Sequence, residues 1–184
     1  MNRAEGVPLS VSLVLTLIGE DKPGLVGLLS QTVAEHDGNW LESRMSRMAG
    51  RFAGILRASV PEASADALVA ALSSLESHGL RVVVERSTHS DVESEFRRIP
   101  LELIGADRPG IIREISQALA SRHINVDELL TECSSAPMSG EILFIAKASL
   151  RVPQGAPMDE LHDALEEIAD DLMVELTLGD TTDE

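Results

Sequence analysis

The sequence predicts an α+β protein that is built from two copies of one βαββαβ unit. The first observation is a repeat: Gly19-Glu20-Asp21-Lys22-Pro23-Gly24 returns 86 residues later as Gly105-Ala106-Asp107-Arg108-Pro109-Gly110. The second is that each repeat follows apolar residues at the period of two typical of a strand and precedes apolar residues at helical spacing. The third is length, since 184 residues suffice for two units, each of roughly 90 residues.

The first copy gives one element after another. The first strand covers 9–18, with alternate apolar residues Leu9, Val11, Leu13, Leu15 and Leu17. A helix runs from Gly24 towards Gly38 and carries Leu25, Leu28, Leu29 and Val33. Strands from Asn39 and over 52–60 follow, separated by Gly50. Ser64 is predicted to cap a second helix that Gly79 ends, and the last strand lies at 82–84.

The second copy repeats this order. Its strands are predicted around 99–103, 124–131, 142–150 and 173–178, and its helices begin after Pro109 and at Pro157. Ser30 and Ser116, Gln31 and Gln117, Asn39 and Asn125, and Glu42 and Glu128 match at one offset. At Ala58 and Ala148 the offset is 90, which predicts about four extra residues between the middle strands of the second copy.

Each unit is therefore expected to be a ferredoxin-like sandwich, with two helices on one face of a four-stranded antiparallel sheet. The predicted boundaries are 7–87 for the first domain, 88–97 for a linker and 98–180 for the second domain. Nothing within one unit covers the other face of its sheet. We therefore expect pairing between the units and a homodimer.

Composition excludes several classes of function. The formal charge of −16, from 31 acidic and 15 basic side chains, opposes direct contact with nucleic acid. No apolar run reaches the roughly 18 residues of a membrane span, and the first residues lack the pattern of a secretory signal. A single cysteine, Cys133, gives neither an internal disulfide nor a metal-site spacing. A cytoplasmic protein is expected.

Catalytic motifs are missing from the sequence. The histidines at 36, 78, 89, 123 and 162 share no motif, and there is no nucleophile elbow, phosphate loop or paired metal-ligand spacing. We therefore expect no enzyme activity, no metal and no cofactor.

The repeated junction resembles the ACT domain, a module that senses small molecules. The shared pattern is a strand ending in Gly-x-Asp-(Lys/Arg)-Pro-Gly, a helix, and an Asn opening the next strand. More narrowly, the chain resembles the glycine cleavage system transcriptional repressor family over about 9–178. That likeness rests on Asn39-Trp40-Leu41-Glu42-Ser43-Arg44-Met45-Ser46-Arg47-Met48, on Gly50, on Phe52-Ala53-Gly54-Ile55 and on Ala136-Pro137-Met138-Ser139-Gly140.

The resemblance implies a regulator without catalysis. It would sense a small amino acid, with glycine favoured, and restrain a DNA-binding transcriptional activator of the glycine cleavage genes by contacting that protein. Two other interpretations stay open. One is a free-standing allosteric subunit of an amino-acid metabolic enzyme, and the other is a scaffold dimer that binds no small molecule.

The resemblance places ligand binding at the corner between the first strand and the first helix of each copy. The residues carried over are Asp21, Pro23, Gly24, Leu25, Asn39, Asp107, Pro109, Gly110, Ile111 and Asn125. Unpaired amides at a helix start suit a carboxylate, glycine allows close approach, and proline at that start sacrifices no useful donor. The Asp carboxylates or Asn amide oxygens would accept the ammonium.

Simpler roles exist for the same residues. Asp before a helix is often a cap, and Asn at a strand start is often turn chemistry. The copies also differ, because Arg113 and Glu114 replace Gly27 and Leu28. The two corners are therefore expected to differ in packing and occupancy.

Three arginines are the candidate partner-binding residues: Arg44, Arg47 and Arg51. They concentrate positive charge in an acidic protein and suit a docking surface, although solvated arginines of no special role would look the same. Trp40 and Cys133 are predicted to be packing residues.

Overall fold

The computed structural model describes residues 9–87, 96–136 and 140–179, and the chain divides into two compact units. The first unit consists of β1 (Ser10–Glu20), α1 (Leu25–Glu35), β2 (Asn39–Met48), β3 (Arg51–Pro61), α2 (Glu62–Ser74), a 3-10 turn (Leu75–His78) and β4 (Leu80–Ser87). The second consists of β5 (Phe96–Ala106), α3 (Ile111–Ser121), β6 (Asn125–Ser135), β7 (Ile142–Pro153), α4 (Met158–Leu172) and β8 (Val174–Leu178).

Each unit holds one four-stranded antiparallel sheet. The strand orders are β2-β3-β1-β4 and β6-β7-β5-β8. The α+β fold of two tandem ferredoxin-like sandwiches is therefore confirmed. β5 starts at Phe96, inside the predicted linker 88–97. Residues 88–95 of that linker lie outside the described residues, as do 7–8 and 180 of the predicted domains and 137–139 of the motif 136–140.

The two cores are aliphatic and share no residue. In the first unit, alternate residues of the central strand β1, namely Leu13, Leu15 and Leu17, are at most 1% exposed and pack against α1 and α2. The second core uses Ile99, Leu101 and Leu103 of β5 in the same way. Leu9 is the exception to the predicted pattern, because it precedes β1 and is 84% exposed.

The hairpin of the middle strands is six residues longer in the second copy, and four of the six lie between the strands, as predicted. Residues 136–141 separate β6 from β7, whereas 49–50 separate β2 from β3. Asn39 faces Ser59 in the first sheet and Asn125 faces Arg151 in the second, so the offset rises from 86 to 92. Leu56, not Ala58, thus corresponds to Ala148. Ala58 and Ala148 therefore matched by chance. At the two equivalent positions the first copy has Leu56 and then Ala58, and the second has Ala148 and then Leu150.

Three helix starts also differ from the predictions. α2 begins at Glu62 after Pro61, so Ser64 lies in its first turn and is not its cap. Pro23 and Pro109 lie one residue before the N-cap glycines, and the helices begin only at Leu25 and Ile111. Proline there fixes the approach of the chain and does not occupy the first helical position.

The β2–β3 hairpin gives a stability prediction. Ala49 and Gly50 both have positive φ, 48° and 76°, which is the type I′ geometry that favours Asn-Gly. Ala49→Asn should therefore stabilise the first unit by about 0.5–1 kcal/mol, measured by urea unfolding followed through Trp40 fluorescence. The control Ala49→Val should destabilise it, since a β-branched residue tolerates positive φ poorly. Equal stability of the two variants would contradict this account of the turn.

Candidate functional site

The loop between β1 and α1 ends in a glycine with left-handed backbone geometry. Gly24 is the N-cap of α1, with φ 94°, and its carbonyl accepts the first helical hydrogen bond from the Leu28 amide at 2.8 Å. The amides of Leu25, Val26 and Gly27 therefore have no partner within the helix. These donors and the positive end of the helix dipole face the loop.

A cavity of about 250 Å³ lies at this place, which we call the first corner (residues 21–27). Its lining consists of Asp21, Lys22, Gly24, Leu25, Val26, Gly27 and Phe52. It is smaller than the roughly 300–1,000 Å³ of pockets for drug-sized ligands. Four predicted ligand-binding residues of the first copy, Asp21, Pro23, Gly24 and Leu25, thus lie together at the first corner, and three of them line the cavity.

Asp21 is held by the hairpin rather than by the helix. Its amide donates to the Gly50 carbonyl at 3.0 Å, and its Oδ2 accepts from Nε of Arg47 at 2.5 Å. No side chain caps α1, so Asp21 is not a helix cap. The Asp21 and Arg47 side chains are 35% and 69% exposed, and an ion pair this exposed contributes at most about 1 kcal/mol.

Asn39 does not belong to the first corner of its own unit. It opens β2 opposite Ser59, whereas Glu20, at the corner, faces Arg51. Eight residues of β3 separate these positions, about 26 Å at the usual rise of a strand. Asn125 occupies the same distant place in the second unit, where its Nδ2 donates to Oδ1 of Asp127 at 3.5 Å. The expected role of Asn39 and Asn125 as acceptors at these corners is therefore wrong within a unit.

The equivalent loop, which we call the second corner (residues 107–114), has the same backbone but different contents. Gly110 has φ 104° and its carbonyl accepts from the Glu114 amide at 3.0 Å, while the Asp107 amide donates to Ile142 at 3.0 Å. Pro109 and Ile111 flank Gly110 as their counterparts flank Gly24. The guanidinium of Arg113 lies 3.4 Å from Oε1 of Glu114. This pair stands at the positions that Gly27 and Leu28 occupy in the first copy.

The three predicted partner-binding arginines do not share one surface. Arg47 faces Phe52, which packs against the first core, so Arg47 lies on the helix side of the sheet beside Asp21. Arg44 faces the exposed Ile55 on the open side, since cross-strand partners share a face. Arg51 alternates with Phe52 and also belongs to the open side. The three arginines therefore lie on two faces of the first sheet, and their role as partner contacts stays a prediction.

Two single residues were predicted to be packing residues. Trp40 does pack against the first core. Cys133 does not, because it lies exposed on the edge strand β6. On this edge strand, side chains near the end of β6 are exposed. The position of a strand in its sheet cannot be read from the residue type.

Among the described residues, one group brings three possible metal-ligand atoms within 4.8 Å: His162, Asp163 and Glu166 of α4. All three side chains are exposed, and the spacing is ordinary for one helix surface. Separately, no described helix has the length and apolar character that a membrane crossing requires.

Comparisons with known proteins agree with this geometry. Sequence profiles of the ACT domain match residues 12–85 and residues 101–166. UPF0237 protein MK1213 of Methanopyrus kandleri is 30% identical over 78 residues, which are 42% of this chain and 86% of that protein.

Two solved structures match along nearly the whole chain. An unknown protein from Galdieria sulphuraria is 26% identical with a TM-score of 0.80, covering 95% of this chain and 100% of that one. A candidate glycine cleavage system transcriptional repressor is 20% identical with a TM-score of 0.72, covering 96% and 99%. The second likeness is one of fold. By its matched profiles and its two sandwiches, the chain belongs to the ACT domain family and carries two copies of that domain in tandem.

Proposed function

We propose that this protein is a non-catalytic regulator that senses a small amino acid, with glycine favoured, at the first corner. The observation that supports this most is the cavity of about 250 Å³ between Asp21 and the free amides of Leu25–Gly27. It offers the two kinds of group that a zwitterion requires. A cytoplasmic location is part of the same proposal.

The ligand's two charges have separate partners there. The carboxylate would lie against the amides of Leu25, Val26 and Gly27, where the helix dipole also favours negative charge. The ammonium would reach Asp21, whose Oδ2 already accepts from Arg47, so Oδ1 is the oxygen left for the ligand. Gly24 and Gly27 place no side chain over the amides, so a carboxylate can reach them. The volume of about 250 Å³ favours an amino acid with a small side chain.

Thermal unfolding with added ligand tests this proposal. Glycine, L-serine and L-alanine at millimolar concentration should raise the midpoint of the first unit, read by Trp40 fluorescence, because a ligand that binds only the folded state stabilises it. Acetate and methylamine each carry one of the two charges and should have much weaker effects. If no amino acid shifts the midpoint or gives heat in a calorimetric titration, the sensing proposal fails.

The finer proposal concerns what the sensor controls. We propose that the protein restrains a DNA-binding transcriptional activator of glycine cleavage genes through protein–protein contact. Its support is the resemblance in 39–55 and the charge of −16, which disfavours direct contact with DNA. Arg44 and Arg51 on the open side of the first sheet, and Arg47 at the first corner, stay candidate contacts for that protein.

The alternative is an allosteric subunit of an amino-acid metabolic enzyme. Affinity purification of the tagged protein with and without glycine separates the two. Recovery of a DNA-binding protein whose retention changes with glycine is expected. Recovery of such an enzyme in its place would refute the repressor proposal and favour the alternative.

A homodimer is also proposed. The open side of the first sheet exposes Ile18, Ile55 and Val83 around Thr16, a surface that a second sheet would cover. Light scattering after size-exclusion chromatography should give twice the mass of 19.8 kDa. A monomer at micromolar concentration would contradict the dimer.

A further inference from the structure

We infer that only the first corner binds the amino acid, because the second corner is closed by its own side chains. This inference rests on the proposed function and goes beyond it, since it assigns one ligand to each chain that carries two ACT domains. Gly27 in the first copy and Arg113 in the second are the residues that decide which corner is open.

The space above the two N-cap glycines differs directly. A methyl group placed on Gly24 or on Gly27 would have no atom within 4 Å. A methyl group on Gly110 would lie 3.4 Å from Nη2 of Arg113 and 3.4 Å from Oε1 of Glu114. The same volume that is open solvent beside Gly24 is therefore occupied by two side chains beside Gly110.

The charges that fill the second corner are those that a ligand would bring. Glu114 places a carboxylate in the first turn of α3, where a helix start favours negative charge. Arg113 adds a cation 3.4 Å from it. The pair thus resembles the carboxylate and ammonium of an amino acid, and a ligand would have to displace both groups before reaching the amides of 111–113.

The surroundings of Asp107 differ as well. Cys133 of β6 faces Phe144 of β7, as Arg47 of β2 faces Phe52 of β3. The second copy therefore has a cysteine where the first has the guanidinium that holds Asp21. Lys22 lines the first cavity, whereas its counterpart Arg108 turns away and donates to the Asp171 carbonyl at 3.1 Å. The second corner therefore lacks both flanking cations of the first.

Exchanging the deciding residue tests the inference. Gly27 has ordinary helical φ and free space around it, so Gly27→Arg should fold with an unfolding midpoint at or above that of the parent, since arginine favours helices more than glycine does. Gly27→Ala is the matched control, because it changes helix propensity in the same direction without filling the cavity. The reciprocal variant is Arg113→Gly with Glu114→Leu.

Calorimetric titration with glycine, L-serine and L-alanine is the measurement. We expect one site per chain in the parent and in Gly27→Ala, and at least a tenfold loss of affinity in Gly27→Arg. Arg113→Gly with Glu114→Leu should keep the parental site and gain binding at the second corner, because the two side chains that fill it are gone; a variant that gains no site would show that they do not close it. Two equal sites in the parent, or unchanged binding by folded Gly27→Arg, would overturn this inference and leave the sensing proposal standing. No binding by the parent to any amino acid would refute the sensing proposal and this inference together.

Discussion

Replacing Leu15 with alanine should destabilise the first unit by about 2–5 kcal/mol, the usual cost of truncating a fully buried leucine. Leu15 is 0% exposed in the central strand β1 and faces Leu56 on one side and Val84 on the other. Few atoms can move into the vacated volume, because both neighbouring strands are fixed by the sheet. Amino-acid binding should be lost at the temperature where the first unit unfolds.

The single tryptophan makes this measurable unit by unit. Trp40, the single tryptophan, packs against the first core, so its fluorescence reports the first unit, whereas circular dichroism reports both. The matched control is Leu101→Ala, the same change at the equivalent place in the second core. It should lower a transition seen by circular dichroism and leave the tryptophan transition in place. If Leu101→Ala shifts the Trp40 midpoint as much as Leu15→Ala does, the two cores are not independent.

Asp21→Ala should weaken binding of glycine or a similar amino acid by about 10- to 150-fold, the equivalent of one hydrogen bond to a charged group. The variant removes the proposed acceptor of the ammonium and also leaves Arg47 without its carboxylate. Stability should fall by less than about 1 kcal/mol, because the ion pair is exposed. Calorimetric titration measures the first effect and urea unfolding the second.

Asp107→Ala is the control for this prediction. Asp107 has the same place in its loop and donates its amide in the same way, to Ile142. Its removal should leave affinity unchanged, since the second corner is already occupied by Arg113 and Glu114. Equal losses in the two variants would show that both corners take part, and no loss in either would exclude the aspartates as ammonium acceptors.

The architecture could be predicted from sequence because its signals are local and occur twice. Alternation in β1, helical spacing after Gly24 and Gly110, and the matched asparagines each depend on neighbouring residues. Errors arose where tertiary packing decides. The exchange of Leu56 and Ala58 for Ala148 and Leu150 disguised the true register, and exposure of Cys133 depends on its strand lying at an edge.

Only the part of the site that depends on neighbouring residues in the sequence could be predicted. The backbone geometry of Gly24 and the free amides of α1 follow from a helix that starts after glycine. Arg47 is 26 residues from Asp21, and no pattern links them until β2 and β3 pair. Sequence order places Asn39 too close to the corner. The residue follows α1 in the sequence, but β2 starts at the far end of the sheet from the loop before α1.

Residue-resolved ¹H–¹⁵N NMR titration with glycine shows directly whether an amino acid binds at the start of α1. We expect saturable shifts of the Leu25, Val26 and Gly27 amides, with the amides of Ile111, Ile112 and Arg113 unchanged. Saturable shifts confined to α3, or to residues away from both corners, would contradict binding at the start of α1.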